Sequence, residues 1–125
     1  MRKIYCLLVA VLFTTILVSC GGNSPSDKVN EFYNYIINGK FKEGVKCMYF
    51  TEKMSARDKE RLYDELLDIN EYVKEIQIID EKTEKVDNEY YATVEYAEVE
   101  KGGLERDTAS IDLIKVEEQW YILMW

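Results

Sequence analysis

The chain has 125 residues, 47% of them hydrophobic and 32% charged, enough apolar content for one packed domain of modest size. Its 24 acidic side chains outnumber 16 basic ones, and histidine is absent. That balance excludes the dense Lys/Arg patch that phosphate neutralisation requires, so nucleic acid is not an expected partner. The missing imidazole removes the commonest metal ligand and the commonest general base.

At the N-terminus, Arg2 and Lys3 precede the uncharged run Ile4 to Val18, and Ser19 supplies the small residue that a cleavage site needs. The run is shorter than the roughly 20 apolar residues that cross a bilayer comfortably. Leu17-Val18-Ser19-Cys20, followed by Gly21-Gly22-Asn23, resembles the bacterial lipoprotein signal, in which the thiol is acylated and the chain is cut before it. The resemblance implies a signal peptide over 1–19, lipid attachment at Cys20, a lipidated cysteine with a flexible linker over 20–26, and a single domain over 27–125. An ordinary secretory signal and an uncleaved anchor are the competing readings. Two or three acyl chains hold firmly where one binds marginally, so the expected location is the cell envelope, with the membrane as partner through Cys20.

Cleavage there would remove two bases and no acid, moving the formal charge from −8 to −10. Such a domain is repelled by anionic headgroups and attracted by a cationic partner. Cys6 leaves with the signal and Cys20 is consumed by lipid, so Cys47 stands alone and no intramolecular disulfide is expected. Without a base beside it, Cys47 reads as a small buried hydrophobe.

The first helix is announced by Ser24 as N-cap, Pro25 at the first helical position and Asp27 as capping acid. Val29, Phe32, Tyr33, Ile36 and Ile37 make its apolar stripe, and Asn38-Gly39 ends it. A second helix is predicted over Phe41 to Tyr49, with Phe41, Val45, Met48 and Tyr49 inward and Gly44 tolerated where another backbone approaches. A third runs from Ser55 to about Ile69, burying Leu62, Leu66 and Ile69, with Tyr63 and Leu67 widening the stripe. After Asn70 the period falls to two. Strands are predicted over Tyr72 to Lys82, Glu89 to Glu100, Arg106 to Glu117 and Trp120 to Trp125, with turns at Asp87-Asn88, Gly102-Gly103 and Glu117-Glu118-Gln119. Ile114 and Val116 break the alternation of the third strand, which suggests a bulge. The expected fold is α+β, three N-terminal helices packed on a curved four-stranded antiparallel meander, with edges at Tyr72–Lys82 and Trp120–Trp125.

The segment Val29-Asn30-Glu31-Phe32-Tyr33 through Asn38-Gly39-Lys40-Phe41-Lys42-Glu43-Gly44 resembles the opening of small exported domains of the cystatin-like, nuclear-transport-factor-2-like superfamily. Gly44 stands where those domains usually have alanine. Gln119-Trp120-Tyr121-Ile122 is similar to their last strand. The resemblance spans roughly residues 25 to 125 and implies a curved sheet facing helices, sometimes with an apolar pocket between them.

Tyr33, Tyr49, Tyr96 and Trp120 are the candidate lining of such a pocket, with core packing as the competing explanation. No catalytic residue is assigned. Asp112, between Ile111 and Leu113, is the nearest approach to an isolated base, and strand alternation turns it away from both neighbours. The acidic stretch Asp80 to Glu89 lacks the glycine and oxygen spacing of a calcium loop, and no metal or cofactor is expected. The expected role is a membrane-anchored, non-catalytic binding or accessory domain for a small apolar ligand or a protein partner. The alternative is an acidic inhibitor or immunity-like protein that masks a basic enzyme.

Overall fold

Ser24 opens the first helix as the sequence requires, its hydroxyl accepting the Asp27 N–H at 3.0 Å. In this computed structural model residues 24–50, 53–103 and 105–123 are described; the signal segment, Cys20 and most of the linker lie outside them. Helix α1 spans Pro25–Ile37 and ends in a Schellman motif: Gly39, at φ 78°, donates to Ile36 O, and Lys40 donates to Tyr35 O. A side chain from far along the chain completes this end, since Asn70 Nδ2 reaches the carbonyls of Ile36 and Ile37 at 3.0 and 3.1 Å.

Helix α2 is one short turn-and-a-half, Phe41–Val45, and the chain then straightens into strand β1, Met48–Tyr49. The predicted helix over Phe41 to Tyr49 is therefore corrected: its last residues are extended, and they pair in parallel with the C-terminal strand. Helix α3, Ala56–Tyr72, is capped by Ser55 through Asp58 N–H and passes without a loop into β2, Val73–Val86. Strands β3 (Glu89–Glu100), β4 (Glu105–Val116) and β5 (Gln119–Leu123) follow.

The sheet has five strands in the order β1-β5-β4-β3-β2 and is mixed, so the expected four-stranded antiparallel meander is wrong while the α+β class stands. The physical reason lies at β5. Ile122 is buried, and its N–H would be orphaned at an uncovered edge; it donates instead to Cys47 O at 2.8 Å. Consequently the final strand is not an edge, and β2 alone of the two predicted edges remains one. Ser26, in the first turn of α1, ties itself to that strand by donating its N–H and hydroxyl to Glu81 Oε1 at 2.8 and 2.7 Å.

The core lies between the helices and one sheet face. Val29 and Ile36 from α1, Leu66 from α3, and Val73, Val94, Leu113 and Ile122 from the strands are almost wholly buried there. The expected bulge at Ile114 is also corrected. The β3–β4 register runs unbroken from Tyr91↔Ile114 to Ala97↔Thr108, and the shift falls at the opposite end of β4, where three steps from Thr108 to Glu105 face two from Ala97 to Val99. Ile114 simply alternates onto the open face, beside its partners Tyr91 and Tyr121. Gly44 is needed for close approach, of a side chain rather than a backbone. A Cβ there would fall on Ile36 Cδ1 and 3.2 Å from Ile36 Cγ1, so the alanine of the similar domains does not fit without moving a fully buried residue.

Two hairpin turns have both central residues left-handed: Asp87-Asn88 at φ 50° and 71°, and Glu117-Glu118 at φ 50° and 68°. Asp and Asn tolerate this region, whereas each glutamate meets the steric penalty of about 1–2 kcal/mol that a Cβ brings. Among the described residues an exposed contact, Lys115 Nζ to Glu118 at 3.8 Å, does little to offset it. The double change Glu117→Asn with Glu118→Gly is expected to raise stability by about 1–2 kcal/mol. A urea midpoint that stays put or falls would show that this turn does not carry the strain.

Candidate functional site

The four aromatic residues singled out from the sequence do not share one cavity. Tyr33 on α1 and Tyr96 on β3 meet in the interior, ring centroids 5.3 Å apart, with hydroxyl oxygens at 2.7 Å. Tyr33 also donates to Glu98 Oε2 at 3.1 Å. One phenol carries one proton and a carboxylate only accepts, so Tyr33 donates to Glu98 and Tyr96 donates to Tyr33. Burial, first of all, pushes both phenols upward and keeps them protonated. Trp120 belongs to the same filled core, while Tyr49 stands apart, 6.4 Å from Tyr121 on the side of the sheet away from the helices. Together these contacts make a satisfied polar link inside the core, and no buried side-chain oxygen or nitrogen among the described residues is left without a partner.

Space exists elsewhere. A cavity of about 540 Å³ opens between α2, the residues Phe50, Lys53 and Met54, and α3 from Lys59 to Leu66. Leu62 and Leu66, one turn apart on α3, form its buried floor. Phe41 and Tyr63 meet edge to face at 5.6 Å in its wall, joined by Val45, Phe50 and Met54. Lys42, Lys53 and Lys59 stand at its rim. Five of the lining residues, Phe41, Val45, Leu62, Tyr63 and Leu66, were legible in helix stripes, but as core; the available signal for a cavity was the pair Phe50 and Met54 in an otherwise polar loop.

Asp112 is exposed and accepts the Thr93 hydroxyl at 2.9 Å, a cross-strand pair on the open face. Cys47 is buried, its thiol 3.7 Å from Glu43 O, and burial above all, with Glu31 adding to it, pushes the thiol up to about 11. The native thiol thus keeps its proton through a range where the unfolded chain, at 9.0, has lost it. Stability from this group is whole below pH 9 and disappears as pH climbs from 9 to 11. Wild type is expected to lose its urea midpoint faster than Cys47→Ala over that interval, and equal slopes would contradict the assignment.

Among the described residues no helix is long and apolar enough to cross a membrane, and no group of three metal-ligating side chains comes together. No curated protein matches the chain. A family model described as a domain of unknown function, DUF4878, matches residues 18–123, so the match takes in Val18-Ser19-Cys20 and all of the described fold, and the chain belongs to that family.

Proposed function

We propose that this protein is a membrane-anchored, non-catalytic lipoprotein of the cell envelope whose globular domain binds a small apolar ligand between α2 and α3. The observation that carries the reading is the apolar cavity, together with the lipobox that precedes the fold so closely. Only Gly21, Gly22 and Asn23 separate Cys20 from the Ser24 that caps α1. A leash of that length holds the domain against the bilayer surface. The phenol pair Tyr33–Tyr96 supports a structural use of the residues that would otherwise suggest chemistry, because both are enclosed and hydrogen-bonded within the core. The helical opening Val29 to Gly44 and the closing Gln119 to Ile122 support kinship with the cystatin-like, nuclear-transport-factor-2-like superfamily.

Intact-mass measurement and fractionation test the anchor. Wild type is expected in membranes with acyl chains on an N-terminal Cys20, and Cys20→Ser in the aqueous fraction with none. An unmodified thiol at Cys20, or a Cys20→Ser protein that stays in membranes, overturns the anchor. The acidic-inhibitor reading draws on a row of exposed carboxylates along α3, Glu60, Asp64, Asp68 and Glu71. Steep loss of a partner's association rate with salt would favour that reading, since charge steering is screened within about 10 Å at 0.1 M.

A further inference from the structure

We propose that the α2–α3 cavity takes a free single-chain amphiphilic monoanion of the fatty-acid class, its acyl tail on Leu62 and Leu66 and its carboxylate among Lys42, Lys53 and Lys59. The proposal rests on reading the domain as an apolar-ligand binder and adds the ligand's charge and shape. Acids outnumber bases 24 to 16 in this chain, yet among the described residues every charged side chain that lines the cavity is a lysine. Among the described residues none of the three is in an ion pair. Lysine lays its methylene stem along apolar surface and leaves the ammonium at the water boundary, so the rim holds unspent positive charge around an apolar floor. A carboxylate at the mouth completes those ammonium groups, and a tail removes Leu62, Leu66, Phe50 and Met54 from water. The volume falls in the range of about 300–1,000 Å³ typical of small-molecule sites. A cationic amphiphile meets repulsion at the same rim.

The test uses the full-length protein in nanodiscs of phosphatidylcholine and a C12 fatty acid with a terminal diazirine, photo-crosslinked and mapped by mass spectrometry. Crosslinks are expected on α3 around Leu62 and Leu66. Laurate should compete at least tenfold better than dodecanol or dodecyltrimethylammonium. Each methylene added between octanoate and laurate should improve competition about fourfold. The triple variant K42Q/K53Q/K59Q, altered only at exposed positions, should lower laurate competition about tenfold and leave dodecanol unchanged. If dodecanol competes as well as laurate in both proteins, the anionic class is wrong while apolar binding stands. Should no crosslink fall on α2 or α3, both readings fail. Loss of crosslinking when phosphatidylglycerol replaces phosphatidylcholine would make a membrane lipid the occupant and overturn the free-acid assignment.

Discussion

Truncating Ile122 to alanine is expected to cost about 3–4 kcal/mol, a large share of the 5–15 kcal/mol that holds an ordinary domain together. Ile122 is fully enclosed on β5, between Met48 of β1 and Leu113 of β4, and its side chain faces the helices. Removing its outer carbons leaves a void that neither neighbour can close, because the backbone bond from Ile122 to Cys47 fixes the spacing of β1 and β5. Tyr121, next in line but on the open face and half-buried, serves as the control and should cost less than half as much when truncated. Denaturant midpoints measure both. A loss below about 1 kcal/mol at Ile122 would mean that β5 is not clasped from both sides.

Replacing Tyr33 by phenylalanine is expected to cost about 1–3 kcal/mol, since it removes the oxygen that accepts from Tyr96 and the proton given to Glu98. The ring stays, so packing against Phe32 and Tyr96 is kept and the loss reports the hydroxyl alone. The Tyr33→Phe/Tyr96→Phe double variant should cost less than the sum of the single ones, because Tyr33→Phe alone strands the Tyr96 hydroxyl in the core and the double variant no longer carries that hydroxyl. Additive costs would show that the two oxygens are not coupled. The same pair sets an alkaline limit. With native phenols pushed above the ordinary value of 10.0, the unfolded chain gives up protons first, and stability falls as pH rises past 10. Tyr33→Phe should flatten that fall.

The cavity joins two features that are each ordinary. A wide apolar stripe on α3 is what any helix shows to a core, and lysines at a surface are solvated by default. Their conjunction arises because α2 ends at Val45 and the chain turns away into β1, which leaves the first half of α3 without a helix fully laid across it. Had α2 continued to Tyr49, its stripe would have filled that space.

Local chemistry was readable from residue order alone wherever neighbours in the chain decide the outcome. Ser24 and Ser55 cap helices, Gly39 closes one, and Asp87-Asn88 turns a hairpin, because each acts on backbone groups within four residues of itself. The buried stripes of α1 and α3 and the alternation in β3 were legible for the same reason: periodicity states which face is apolar. Met48-Tyr49 defeats that logic. Two residues are too few to display a period of two, and their spacing from Phe41 and Val45 also suits a helix. What made them a strand was a demand set more than 70 residues later, the buried Ile122 N–H in need of an acceptor at Cys47. The lysine-rimmed cavity is of the same kind, since Lys42, Lys53 and Lys59 acquire a common neighbourhood only once α2 and α3 are packed. Position in the chain fixes what a residue offers, and the closing of distant segments on one another decides which offers meet.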